Sequence, residues 1–326
     1  KCFYKKNFKK NVKFYELKQK KTFLSFFNIC RILNNNYSNK NTIFISNMNY
    51  VNVLACFFLK FVLSYKLILV ERTPLKELKT FYNLNEIFKK KIVYLLMKLL
   101  YRFSDKVVVN SLYSKNEFKK VINCNLEVIH SPSIDKLKFK KFQKKRKGKL
   151  KILSIGRLSV EKRFNFLIKT INKLKKFNIQ LIIIGDGPLK EKLLGSIKEK
   201  KLDNKVKIIK FSKNYNKHFK SSDLYINTSD FEGFPNSVVE AINNNLRIYS
   251  RDSAGGIHDI ITHKSIGKII NTDSYNIFAD KIKKNYLYNF NKEDLTVNKE
   301  IINKKLSKFL SSYVSKKYEL IFSNIF

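Results

Sequence analysis

Two carboxylates with seven residues between them, Glu232 and Glu240 in the stretch EGFPNSVVE, have the clearest capacity for chemistry in this chain. The first sits on a Gly/Pro turn, and the second lies inside the helix that the following residues favour. Pro235 suits the first helical position, where its missing N–H would lack a partner in any case. With the helix beginning there, the free N–H groups of Asn236 and Ser237 face whatever lies above its end, backed by the positive end of the macrodipole. That place suits an anion. Counted from Pro235 at 1.5 Å per residue, Glu240 lies roughly 7–8 Å along the axis, about the span of a cluster of sugar hydroxyls. Acids on either side of a phosphate site can accept hydrogen bonds from the hydroxyls that flank it. The competing reading is an amphipathic helix with two solvent glutamates.

Arg157 and Lys162, five residues apart, follow the apolar run LKILSI on the way into another helix. Two cations beside a helix N-terminus fit a diphosphate, which a guanidinium can grip bidentately. In a chain with 67 lysines and arginines the spacing alone carries little weight. The position directly after a strand carries more.

Those residues need a scaffold, and the pattern supplies one. Short β-rich runs alternate with stretches of helical period from end to end, as in parallel sheets covered by helices. Expected strands are VKFYEL, TIFIS, KLILV, KVVVN and LEVIH in the first half, then LKILSI, IQLIII, VKII, LYIN, LRIY and GKII. Val51 to about Leu63 reads as a helix leading into KLILV. Phe164, Leu167, Ile168, Ile171 and Leu174 mark one face of another. The basic, aperiodic stretch from Lys136 to Lys149 reads as a linker between two domains. In open sheets ligands bind beyond the carboxyl ends of the strands. At those ends lie Gly156-Arg157, Gly185-Asp186-Gly187-Pro188, Thr228 through Pro235 and Ser253 through Gly256. Six of the nine glycines fall in these four turns, where a missing Cβ lets backbone approach a ligand.

A length of 326 residues suffices for two domains. The net charge of +42 comes from lysines spread along the whole chain, with Asn, Ile and Phe abundant and Gly and Pro scarce. It therefore reads as compositional bias, and no nucleic-acid partner is expected. An anionic membrane surface is an expected partner all the same. Cys2, Cys30, Cys56 and Cys124 lack C-x-x-C spacing, no D-x-D pair occurs, and His130, His218, His258 and His263 have no ligand-like partners. Neither a metal site nor a disulfide framework is expected, and reduced cytosol is the default setting. No signal peptide is visible, and the run from Val51 to Val70 is broken by Lys60 and Lys66, short of a membrane span. The chain begins at Lys1 and has no glycine before Gly148. The expectation is that a first strand and its glycine loop, on the order of 30 residues or more, precede it.

Four motifs carry a resemblance. GRLSVEKRFNFLI, LIIIGDGPLKEKL, SSDLYINTSDFEGFPNSVVEAI and SAGGIHDII follow one another over about residues 150–262. Together they resemble the C-terminal domain of the retaining glycosyltransferases of family 4. ILVERTP, SDKVVVNSLYSKNEF and EVIHSPSID are similar to the N-terminal domain more loosely. The resemblance implies an α/β GT-B fold of two facing Rossmann-like domains with parallel sheets. Residues 1–140 would form the acceptor-side domain, 141–306 the nucleotide-sugar domain, and 307–326 a helix crossing back. It implies transfer of a sugar from a nucleotide donor, UDP-linked, to a lipid-linked or polysaccharide acceptor in cell-surface glycan biosynthesis. Retention by front-face attack, no metal and no cofactor go with it, as does a peripheral place on the inner face of the cell membrane.

In that scheme Arg157 and Lys162 hold the diphosphate, Glu232 lies at the donor sugar, and these three are the catalytic residues. Glu240 accepts from the ribose hydroxyls. Gly233, Phe234, Pro235, Asn236 and Ser237 cradle the distal phosphate and sugar, with Gly156 in the loop below. The nucleobase lies near Lys210 to Lys213, including Phe211, against the turn of Gly185 and Gly187. Departures from the family pattern are Lys210, where many relatives have glycine, and Asp259, where a glutamate is usual. Glu71-Arg72 stands in the acceptor-side loop where many members have histidine. A structural ion pair is the favoured reading of Glu71, with a role as acceptor-side base as the alternative. His258 reads as a surface residue. The run IVYLLMKLL, ringed by Lys89, Lys90, Lys91, Lys98 and Arg102, is either a lipid-docking face or a core helix with basic ends. Two rivals remain: a nucleotide-sugar epimerase or hydrolase of the same fold, and a non-catalytic basic protein binding membrane or nucleic acid.

Overall fold

The computed structural model describes residues 12–17, 19, 22–81, 84–142, 148–212, 214–284 and 299–326. Twelve strands are β1 Ile43–Asn47, β2 Lys66–Glu71, β3 Lys106–Val109, β4 Leu126–Val128, β5 Leu150–Ile155, β6 Ile179–Ile184, β7 Val206–Ile209, β8 Leu224–Asn227, β9 Phe231–Glu232, β10 Arg247–Arg251, β11 Ala254–Gly255 and β12 Gly267–Ile270. The first four pair in chain order as one parallel sheet. The larger sheet, also parallel, runs β12-β10-β8-β5-β6-β7. The chain thus winds outward from β5 to β7, returns to lay β8 beside β5, and winds outward on the other side. The crevice beyond β5 and β8 is the topological switch point, where such sheets receive ligands.

Hydrophobic alternation explains the layers. Along β2, Leu67 and Leu69 join a core with Phe26, Leu59, Met97 and Tyr101 from the helices on one face. Ile68 and Val70 point the other way, against Val314 and Ile321 of the terminal helix Ser311–Ser323. The C-terminal end of the chain therefore covers the second face of the N-terminal sheet. In the larger sheet Leu150 and Ile152 of β5 face Leu167, Ile168 and Ile171, while Leu153 faces Val238, Val239 and Ile242 of the helix Asn236–Asn243.

One expectation needs correction. VKFYEL is not a strand: residues 12–17 are irregular and mostly exposed, and among the described residues β1 pairs with β2 alone. The stretch from Lys136 is more than a polar tether. Phe139 and Phe142 are buried together, and the Asn243 side chain accepts from Lys138 N (2.8 Å) and donates to Lys136 O (3.0 Å). Residues 143–147 of that stretch lie outside the described residues. Within the expected terminal segment 307–326 lies the helix Ser311–Ser323; it is preceded by Lys299–Ser307, the two separated where Leu310 bridges Ile134.

Candidate active site

The loop after β5 carries Gly156 and Arg157, then a turn of 3-10 helix, Val160–Lys162. The Lys162 stem lies over Gly156, 3.5 Å from where a Cβ would sit. The head of Lys162 reaches across to β9, with its Nζ 2.9 Å from Glu232 Oε2. Ser229 Oγ donates to the other oxygen of Glu232 at 2.6 Å. Arg157 is exposed and has no ion-pair partner among the described residues. One cation is thus held on the first acid of the pair, and another stands free beside it.

Glu232 owes its position to the glycines of SAGG. Gly255 pairs with it in the short β9–β11 ladder, at φ 115°, and a Cβ there would overlap the Glu232 carbonyl. Gly256 N donates to Gly233 O at 2.9 Å. Gly233 in turn presses against the other domain, where a Cβ would overlap the Arg72 carbonyl and crowd Asn110. Only a bare backbone passes there.

The helix that follows starts at Asn236, one residue later than Pro235 as first helical residue would give. Pro235 has φ −79° and ψ 84°, and its carbonyl accepts from Val238 N at 3.0 Å, so it caps the helix from outside. Asn236 N donates to Phe234 O at 3.0 Å, which leaves the Ser237 amide at the helix mouth. The Asn236 side chain accepts from Ser133 Oγ at 2.9 Å. Tyr225, buried on β8, ties this mouth to β5. Its hydroxyl accepts from Ile155 N (3.3 Å) and donates to Ser237 Oγ (2.7 Å). Burial pushes the Tyr225 phenol upward from its ordinary range.

Glu240 lies one turn further, accepting from Tyr215 Oη at 3.1 Å. Burial pushes its carboxyl up to about 7, against the pull of the Tyr215 hydrogen bond and the Lys138 charge. Phe211 is exposed, its ring 4.8 Å from that of Tyr215. Gly185 and Gly187 close the neighbouring turn, where a Cβ on Gly185 would strike Gly156 O and one on Gly187 would come within 2.6 Å of Leu158 O. Asp186 in the same turn makes a long 3.9 Å pair with Lys210. Lys213 lies outside the described residues. The structure therefore brings Gly156, Lys162, Glu232, Ser237, Glu240 and Phe211 to one end of the sheet, with Arg157 at the rim.

Residues 135–296 match the family described as Glycosyl transferases group 1. That segment belongs to this family. It is 33% identical over 184 residues to an uncharacterised glycosyltransferase of Methanocaldococcus jannaschii, covering 52% of this chain and 45% of that one. It is 31% identical over 132 residues to the N-acetylgalactosamine-N,N'-diacetylbacillosaminyl-diphospho-undecaprenol 4-alpha-N-acetylgalactosaminyltransferase of Campylobacter jejuni, covering 40% and 36%. The chain spans less than half the length of either relative. Among solved structures it is similar to the pneumococcal O-GlcNAc transferase GtfA in complex with UDP and GlcNAc. The TM-score is 0.71 at 19% identity, over 91% of this chain and 59% of that one. The shared fold is GT-B, two Rossmann-like domains facing each other.

On the N-terminal side, the ion pair expected for Glu71 is not found among the described residues. Glu71 is buried, 1% exposed; Asn52 Nδ2 (2.7 Å) and the Tyr101 hydroxyl donate to it. Its place on the inner side of β2 turns it into the core, and burial raises its carboxyl to about 7. Arg72, the residue just past the end of β2, lines the cavity at the cleft. His130, left without a partner by the sequence, bridges the domains with its Nε2 3.0 Å from Asp259 Oδ2, and that oxygen also accepts from Leu112 N at 2.7 Å. His258 meets Asp252 at 2.8 Å on the surface. Arg163, at φ 50°, joins Asp230, Arg251 and Asp273 in a charge network that braces the Lys162 loop against β8, β10 and β12. Sequence reading missed this network; its only signal is a charged residue at each of several strand ends.

Proposed function

We propose that the chain is a retaining, metal-independent glycosyltransferase of family 4, moving a sugar from a UDP-linked donor to a lipid-linked or glycan acceptor of cell-surface glycan biosynthesis. The observation that carries the reading is the Lys162–Glu232 pair at the mouth of the Asn236–Asn243 helix, with Arg157 free beside it. A diphosphate seated on the Ser237 amide can draw Lys162 off Glu232 and take Arg157 as its second cation. The freed Glu232 carboxylate then faces the sugar hydroxyls. As the glycosidic bond breaks, charge grows on the leaving phosphate, and both cations, already in place, stabilise it without reorganising. Glu240 accepts from the ribose hydroxyls, and Phe211 beside Tyr215 offers a ring face to the base.

The Campylobacter relative is named for a diphospho-undecaprenol acceptor and the pneumococcal neighbour was solved with UDP, which supports both halves of the reading. A surface on the N-terminal domain supports docking at the cytoplasmic face of a membrane. Phe57, Phe61 and Val62 are exposed, as are Phe88, Leu95 and Leu99 on the helix Leu84–Leu100, with lysines around them. No helix among the described residues is long and apolar enough to cross a bilayer.

A thermal-shift panel tests the donor. UDP and UDP-sugars are expected to raise Tm above GDP, ADP and their sugars, since a ligand that binds only the folded state stabilises it. Arg157→Ala is expected to weaken that shift and to lower kcat by roughly 10²–10³-fold. Near-normal turnover in this variant rules the assignment out.

A further inference from the structure

Beyond the C-terminal ends of β1 to β4 lies a cavity of about 230 Å³, closed on its far side by Tyr318 and Phe322 of the terminal helix. It adjoins the catalytic loop, because Arg72 on its wall is the residue whose carbonyl Gly233 touches. Two of its side chains have unspent capacity. Arg72 donates from Nε to Asn47 Oδ1 at 3.1 Å. That bond orients the guanidinium through a neutral acceptor, and no carboxylate among the described residues pairs with it. Its terminal N–H fork remains available for an oxyanion held bidentately. Asn110 is buried, 5% exposed, and donates from Nδ2 to Arg72 O at 2.9 Å. Its Oδ1 has no partner. A buried carbonyl oxygen without a donor is costly, so a hydroxyl delivered here would be bound for that reason. No carboxylate is among the residues that line the cavity, and Asp259, which meets the lining residue His130, also accepts from the Leu112 amide.

We infer that this cavity takes a phosphorylated sugar or polyol of the acceptor, its phosphate on the Arg72 fork and one hydroxyl on Asn110 Oδ1. The inference rests on the transferase reading above and adds the charge class of the acceptor and the residues that read it. The size of the cavity suits one such unit; the remainder of an acceptor extends along the cleft.

The test uses the full chain with saturating UDP, so that the diphosphate site around Arg157 and Lys162 is occupied. Calorimetric titration of UDP comes first, and absence of UDP binding would overturn the donor reading independently. Glucose 1-phosphate, methyl glucoside and inorganic phosphate are then titrated against the UDP-bound protein. The sugar phosphate is expected to bind at least tenfold more tightly than the neutral glucoside and more tightly than phosphate alone. Arg72→Gln is expected to erase the preference over the glucoside, and Arg72→Lys, which keeps the charge without the fork, to restore part of it. The UDP titration of each variant reports whether the fold is intact. Equal binding of sugar phosphate and glucoside, no binding of either, phosphate alone binding as well as the sugar phosphate, or an unchanged preference in Arg72→Gln each overturns the inference.

Discussion

If Glu240 holds the ribose as a carboxylate, donor affinity must depend on pH near neutrality, because burial places its carboxyl at about 7. The sign follows from which form binds. Hydroxyl donors stabilise the ionised acid, so the donor binds the deprotonated protein better and affinity rises as pH rises through about 7. Between pH 6 and pH 8 the ionised fraction grows from about one-tenth to about nine-tenths, a change of roughly tenfold in affinity or about 1.4 kcal/mol. UDP-glucose is the better probe, because UDP itself carries a terminal phosphate that titrates in the same window. Calorimetric Kd values at half-unit steps from pH 6 to pH 8 give the slope. Glu240→Gln keeps an oxygen for Tyr215 and removes the titration, so its profile is expected to be flat. A flat profile in the parent chain, or an unchanged slope in Glu240→Gln, refutes the role given to this acid.

Glu71 gives a stability prediction of related origin. Its folded pKa of about 7 lies above the ordinary carboxylate value, so the native state binds the proton more tightly, and stability falls as pH rises from about 4.5 through 7. The penalty at pH 8 is about 3 kcal/mol. Glu71→Gln keeps an oxygen for Tyr101 and Asn52, and urea unfolding is expected to show it more stable than the parent at pH 8 with the gain gone at pH 4; a parent more stable at pH 8 contradicts the sign. For the exposed apolar face, flotation with anionic vesicles is expected to carry the chain upward in low salt. Replacing Phe57 and Phe61 with Ser should leave most of it behind, and equal flotation of both proteins removes that face as the docking surface.

Much of the C-terminal half was legible because local and global signals agree there. Each strand from LKILSI to GKII is a short apolar run between turn residues, and the runs form one parallel sheet whose order puts the glycine turns at a single edge. What stayed hidden are features that depend on tertiary partners. VKFYEL has strand composition, but strand formation requires a paired neighbour and no strand among the described residues pairs with it. Phe139 and Phe142 carry no periodicity, yet an extended segment can bury two rings where a helix end offers Asn243 to its backbone. Arg163 reaches Asp230 and Asp273, 67 and 110 positions further along the chain, and Tyr225 reaches Ser237 only because β8 runs beside the helix mouth. Glu71 and Arg72 illustrate the limit most sharply: Glu71 ends β2 buried in the core while Arg72, the next residue, lines the cavity, and only the fold decides which of them meets the cleft.

The Lys162–Glu232 pair would oppose binding of a diphosphate as well as prepare for it. Both side chains are mostly buried, 21% and 11% exposed. Removing Lys162 from Glu232 without replacement would strand a carboxylate in a poorly solvated place, a loss larger than that of a surface pair. In the proposed transferase a bare nucleoside diphosphate would take the lysine and leave Glu232 only the Ser229 hydroxyl it already has. A nucleotide sugar would supply hydroxyls to the acid at the same moment. On that reading the pair would favour the complete donor over the spent nucleotide and tie release of the product to restoration of the ion pair. That bias resides in Glu232 held by Gly255 from behind and by Lys162 in front, which is why the glycines of SAGG belong to the site as much as the charged residues do.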